Sequence, residues 1–314
     1  MLLSPAREKP PRSLKHVSGA SEDGRQHVHA GLAWLRDSKK GLEWLERLPR
    51  VVNECAEQWS LRIDDAFPYA FESLASAVTL PDGAEAVLKI QFPGRENEHE
   101  AAALTRWNGD GAVRLLEHDA SRHALLLERC EPGTPLSDAE EDEALDVVES
   151  LIPRLWKHAG VPFRLLADEA AWWAGYLPAS WEREGKPFER RLLDAALDVL
   201  ESFPESQGEL VLLSQDLHAG NILRAKRQPW LLIDPKPLLG EREFSIAAIV
   251  RGDELGRGKT HVRHRLDRLS GELGLDRERA RGWTLAQTLA WAVSSEEDEF
   301  DEHYVETARW LQAM

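Results

Sequence analysis

The chain has only two cysteines, Cys55 and Cys130, in 314 residues. That is too few for a disulfide framework and points to a reducing, cytoplasmic setting. No apolar run is long enough to span a bilayer, and the N-terminus lacks the continuous apolar core of a signal peptide. Basic residues are outnumbered: 39 Lys and Arg face 55 Asp and Glu, and the net charge of −16 argues against a nucleic-acid partner. Internal repeats are absent, which excludes a repeat architecture. What remains is 42% hydrophobic, ample for one large or two moderate domains. Most of the twelve tryptophans are expected in the core.

The most informative stretch runs from Leu210 to Gly240, LVLLSQDLHAGNILRAKRQPWLLIDPKPLLG. An apolar run, Leu210 to Leu213, precedes a polar loop carrying Asp216, His218 and Asn221. Two short apolar pieces, Ile222–Leu223 and Trp230–Ile233, flank a polar turn and predict a β-hairpin. Such a hairpin brings Asn221 and Asp234 together, with Asp216 nearby. An amide oxygen and carboxylates so placed make a hard oxygen site suited to Mg²⁺ and phosphate. Asp216 and Asn221 are five residues apart, as in the D-x-x-x-x-N of a kinase catalytic loop. In that chemistry Asp216 takes the acceptor hydroxyl's proton, while Asn221 and Asp234 hold the metal.

The run QDLHAGNILRAKRQPWLLIDPKPLLGE resembles the aminoglycoside phosphotransferase superfamily, in particular its streptomycin 6-kinase and hydroxyurea phosphotransferase branch. The likeness extends over residues 42 to 311, including ALLLERCEPGTPL and GLDRERARGWTLAQTLAW. It implies an α+β, protein-kinase-like, two-lobed fold. Residues 1–41 would be a partly loose extension, 42–130 the N-lobe, and 131–314 the C-lobe with catalytic loop and acceptor site. It implies ATP, Mg²⁺ and a small hydroxylated acceptor. Departures from the family pattern are Ser214 two residues before Asp216, Gln215 beside it, a glycine-free nucleotide turn from Pro68 to Ser76, and Ser245 after the hairpin. They motivate a rival reading, a pseudokinase-like binding module without phosphotransfer.

Upstream, Val78–Leu80 and Ala86–Phe92 flank Pro81-Asp82-Gly83 and predict a strand pair. Lys89 on the second strand, in AVLKI, resembles the kinase lysine that pairs the ATP phosphates. Its helix partner is Glu100, with Glu98 as the competing candidate. Ala124–Leu127 reads as a buried strand. By resemblance, Glu128 to Cys130 after it form the hinge, whose backbone meets the adenine edge. Gly41 and Pro49 predict at least two helices between His29 and Trp59. Ser137 and Glu140 resemble a capping box opening an acidic, solvated helix. Helical segments are then expected to break at Pro153, Gly160–Pro162, Pro178 and Gly185–Pro187.

Other motifs carry less. Gly252 to Thr260 ends like a Walker A loop, but Asp253 stands where glycine is required. His261 and His264 have no obvious third metal ligand. His218 is expected to position the catalytic loop. The acidic run Glu296, Glu297, Asp298, Glu299, Asp301, Glu302 and Glu306 lies in the lobe where the family contacts its acceptor. Glu296, Glu297 and Asp298 are therefore the candidate substrate residues, and they favour a cationic acceptor.

Overall fold

The computed structural model describes residues 30–68, 72–293 and 300–314. A 3-10 stretch, Ala30–Asp37, leads into helix α1, Lys39–Trp59, capped by the Ser38 hydroxyl on the Gly41 amide at 3.0 Å. The expected break at Pro49 does not occur: Pro49 sits inside α1. Leu48, Val52 and Cys55 form a buried stripe against the sheet. That burial outweighs the hydrogen bond that proline cannot donate. Pro153 and Pro178 also lie inside helices, Glu141–Leu155 and Leu166–Arg183, each of which has its own buried stripe.

The N-lobe is a five-stranded antiparallel sheet: β1 Arg62–Ala66, β2 Ser73–Thr79, β3 Glu85–Gln91, β4 Leu115–Asp119 and β5 Ala124–Glu128, ordered β1-β2-β3-β5-β4. Between β2 and β3, Gly83 takes φ +86°, and the Asp82 carboxylate accepts from the Ala84 amide at 2.9 Å. Alternation splits the strands into two faces. Leu74, Val78, Leu88, Ile90 and Leu126 pack under α1. Lys89, registered opposite Ala75 and Leu125, belongs to the other face. Helix α2, Glu100–Trp107, crosses that side and buries Ala103, Leu104 and Trp107 with Leu125 and Leu127.

The C-lobe is mainly helical: α3 Glu141–Leu155, α4 Leu166–Arg183, α5 Arg190–Ser202, α6 Ala247–Arg251, α7 Lys259–Glu272, α8 Arg277–Ala292 and α9 Glu302–Gln312. Short strands β6 Leu210–Ser214, β7 Ile222–Arg224, β8 Trp230–Leu232 and β9 Pro237–Glu241 form two pairs, β6–β9 and β7–β8. The capping box at Ser137 does not form. Leu136 is buried and holds Leu136–Asp138 in a 3-10 turn, so α3 starts at Glu141 with Glu140 at its cap. Its acids are not simply solvated either: Arg268 on α7 binds Glu149 at 2.7 Å and Asp142 at 3.1 Å.

Beneath α4, Gly240 of β9 lets the helix approach the β6–β9 pair. A Cβ there would lie 2.7 Å from both Cβ and Cδ2 of Leu166. Cβ belongs to the stem of the side chain and cannot swing aside without the helix moving. Gly240→Ala is expected to destabilise the protein by about 1–3 kcal/mol in chemical denaturation.

Candidate active site

The loop after β6 is built by backbone bonds before any side chain acts. Gln215 donates to the Lys236 carbonyl at 3.0 Å, continuing the β6–β9 ladder by one residue. His218 donates to the Asp216 carbonyl and Asn221 to the His218 carbonyl, each at 3.0 Å. The Asn221 side-chain nitrogen then donates to the Asp216 carbonyl at 3.1 Å, so Oδ1 takes no part in that bond. Ile233 donates to the Asn221 carbonyl at 2.8 Å, and Asp234 follows with φ +49°. The hairpin β7–β8 thus sets Asn221 and Asp234 beside Asp216.

Glu254 braces this loop from outside. Its carboxylate lies 2.9 Å from His218 Nδ1 and accepts from the Gly220 amide at 3.0 Å. A Cβ on Gly220 would lie 2.8 Å from Glu254 Oε1, so the brace needs glycine there. Glu254 comes from the stretch that ends like a Walker A loop; its carboxylate faces the Asp216–Asn221 loop. His261 and His264 pair instead with Glu141 at 2.6 Å and Asp142 at 2.8 Å.

On the N-lobe side Lys89 is buried, 2.8 and 2.7 Å from the two Glu100 oxygens and 2.5 Å from Asp234 Oδ1. Gln91 donates to Glu100 at 2.6 Å. Burial alone would lower the lysine's pKa, but Asp234 and Glu100 outweigh it and hold the ammonium above its usual range. Burial would raise Asp234, yet Lys89 and Lys236 hold it below the usual carboxylate range. Of the two candidate partners, Glu100 makes the contact; Glu98 is exposed and lies 3.8 Å from His99.

At the end of β5 the Glu128 carboxylate accepts from the Arg114 amide at 3.0 Å and from Arg227 at 2.7 and 2.8 Å. Arg227 also donates to the carbonyls of Gly109 at 2.6 Å and Ala112 at 3.1 Å. The Glu128 side chain is therefore spent on joining the lobes, and its backbone amide donates to the Arg114 carbonyl at 2.9 Å. Burial pushes the Cys130 thiol up to about 12. A cavity of about 330 Å³ opens between the first strands and this hinge, lined by Arg62, Asp64, Ala77, Glu85 and Arg129 among others.

A second cavity, about 200 Å³, is lined by Glu96, Trp172, Tyr176, Lys236, Ala290, Trp291 and Tyr304. Lys236 Nζ is 2.5 Å from Glu96, 3.6 Å from Glu72 and 4.0 Å from Asp216 Oδ2. Burial would lower the Lys236 pKa, but Glu96, Asp216 and Glu72 hold it well above the usual lysine range. Arg251 approaches the other Asp216 oxygen at 3.7 Å. Its guanidinium stacks 4.2 Å from the Trp291 ring and donates to Gln287 at 2.6 Å; Gln287 in turn donates to the Gln215 carbonyl at 3.0 Å. Sequence reasoning missed Lys236, Arg251, Glu96 and this cavity. The one available signal was Lys236 inside the IDPKP run. Trp172 and Trp291 line the cavity and are not core residues. Glu296, Glu297 and Asp298 lie outside the described residues. The neck of that segment is closed by the Val293–Phe300 bridge and by Asp301 donating to Ala292 at 2.8 Å.

Among the described residues no cluster of three His, Cys, Asp or Glu side chains could hold a metal ion. One amide oxygen and one carboxylate fit an ion that completes its shell with water and phosphate oxygens, as Mg²⁺ does.

The sequence pattern of the aminoglycoside/hydroxyurea antibiotic resistance kinase family matches residues 58–299. The chain belongs to this family. It is 39% identical to a hydroxyurea phosphotransferase of Kitasatospora aureofaciens, over 86% of this chain and 81% of that one. It is 37% identical to a streptomycin 6-kinase of Streptomyces glaucescens, over 83% and 87%. The fold matches the choline kinase LicA of Streptococcus pneumoniae, with TM-score 0.59 at 12% identity, covering 85% of this chain and all of that one. This kinase is an ATP-dependent small-molecule phosphotransferase with a protein-kinase-like, two-lobed fold.

The buried Lys89–Glu100 pair generates a test. Glu100→Gln leaves a buried ammonium under-compensated and is expected to cost about 3 kcal/mol in denaturation. Glu98→Gln, at an exposed side chain, should stay within about 0.5 kcal/mol of wild type.

Proposed function

We propose that the kinase transfers the γ-phosphoryl group of Mg-ATP to a hydroxyl of a compact acceptor, with Asp216 as base. The carrying observation is that Asp216 lies 4.0 Å from Lys236 and 3.7 Å from Arg251, cations that touch the aromatic cavity, on a loop whose Asn221 is tied to the hairpin end carrying Asp234. Asp216 receives the acceptor proton while the hydroxyl oxygen attacks. Lys89, fixed by Glu100, anchors the ATP phosphates, and the backbone from Glu128 to Cys130 meets the base. Asn221 and Asp234 hold Mg²⁺, which neutralises charge developing on the phosphates. The N-lobe ends at this hinge, near residue 130. Both cysteines are free, which fits a reducing cytoplasm.

Asp216→Asn is expected to abolish turnover while leaving Mg-ATP binding intact, because only the proton acceptor is lost. Asp234→Ala should weaken nucleotide binding in the presence of Mg²⁺ more than in its absence. Turnover retained by the first variant, or equal losses with and without metal in the second, would remove these roles.

The acceptor cavity is smaller than the roughly 300–1,000 Å³ of a drug-sized site. It takes one ring or a compact group such as hydroxyurea. A larger streptomycin-like acceptor would place one ring there and extend beyond it. Residues 294–299 join two elements that both line the cavity, which supports Glu296, Glu297 and Asp298 as contacts for an acceptor's cationic groups. An ATP-consumption screen over streptomycin, hydroxyurea, aminoglycosides and small polyols tests the acceptor class. Changing the three acids to amides is expected to raise the KM of a cationic acceptor and flatten its salt dependence, with kcat changing less. A neutral acceptor, or a KM that ignores the triple change, would refute the cationic assignment.

A further inference from the structure

We propose that Lys236 is a further residue of the transfer chemistry, donating an N–H to the phosphoryl group as it passes from nucleotide to acceptor. The inference rests on Asp216 being the base.

Four observations converge on it. Its backbone is fixed to that of Gln215 at 3.0 Å, one residue from Asp216, so both side chains stand on one rigid ladder. Its ammonium lies 4.0 Å from Asp216 Oδ2 and 3.6 Å from Glu72, which belongs to the turn expected over the phosphates. It also lines the acceptor cavity, 5.5 Å from the Trp291 ring. It therefore borders nucleotide turn, base and acceptor at once. Of the neighbouring cations, Lys89 is held by Glu100 and Asp234, and Arg251, though 3.7 Å from Asp216, is bound to Gln287 and the Trp291 face; Lys236 is itself paired with Glu96 at 2.5 Å.

The charge balance gives the reason for a cation here. Glu72, Glu96 and Asp216 surround one ammonium, and a transferring phosphoryl group adds further negative charge to the same space. In the step, the acceptor O–H proton passes to the Asp216 carboxylate and the acceptor oxygen bonds to the γ-phosphorus. The bond from phosphorus to the β–γ bridging oxygen breaks, and its electron pair leaves with ADP. Lys236 stays protonated throughout, giving a hydrogen bond to a non-bridging oxygen. A preorganised donor of this kind acts on the transition state more than on bound nucleotide.

The plainer role for Lys236 is a tie between the Glu96 loop and β9. Binding of Mg-ADP alone and of Mg-ADP with tetrafluoroaluminate, a mimic of the phosphoryl group in flight, separates the two. Calorimetry and ligand-induced melting shifts on wild type, Lys236→Met and Lys236→Arg need no acceptor and no turnover. Lys236→Met is expected to lose roughly 100-fold in fluoroaluminate affinity while Mg-ADP affinity stays within about 2-fold, with partial recovery in Lys236→Arg. Equal losses of both ligands, or none, would overturn the proposal, as would a wild type with no preference for the fluoroaluminate complex. A wild type that binds no Mg-ADP would overturn the nucleotide site and this proposal together. Failure of the base assignment shows separately, as turnover retained by Asp216→Asn.

Discussion

Lys89 holds one ammonium between a carboxylate of each lobe, Glu100 at 2.7 Å and Asp234 at 2.5 Å. Taking such charges out of water is costly, and the attraction offsets that cost only if geometry and further hydrogen bonds are good. The surroundings supply both. β3 lies between β2 and β5, and Gln91 satisfies a Glu100 oxygen. The α1 indole of Trp44 donates to the Gln91 carbonyl at 3.1 Å, fixing the strand end from the opposite face of the sheet. A helix outside the site thus helps decide where the lysine points.

The C-lobe answers with supports of the same kind. Arg227 reaches from the β7–β8 turn to Glu128 and to two carbonyls ahead of β4. It fixes the hairpin, and hence Asp234, relative to the hinge. Glu254 holds the Asp216–Asn221 loop through His218 and the Gly220 amide. Arg251 reaches Asp216 and, through Gln287, the backbone of Gln215. Few of these groups would touch a ligand; they set the angles at which Lys89, Asp216 and Asp234 present themselves.

The site shows where local pattern suffices. The hairpin following Asn221 and the five-residue step from Asp216 are short-range features, so spacing and turn chemistry expose them. Proline was a poorer guide. Pro49, Pro153 and Pro178 read as breaks, yet each helix runs through because its buried stripe is worth more than one backbone bond. Ser137 had the right neighbour for a cap, but the burial of Leu136 moved the helix start.

The sequence by itself determined the hairpin after Asn221, the five-residue step from Asp216 and the strand pair carrying Lys89, each a run of adjacent residues whose backbone preferences and spacing are intrinsic; the two-lobed kinase-like fold followed from family resemblance. Only the tertiary structure decided that Glu100 and not Glu98 meets Lys89, that Lys236 and Arg251 flank Asp216, and that Trp172, Tyr176, Trp291 and Tyr304 share a cavity. Those four aromatics come from α4, α8 and α9, and α8 is buried along most of its length, so no single face of it marks the cavity. Which side chains face one another across separate helices depends on packing angles and lobe placement, which no local periodicity encodes.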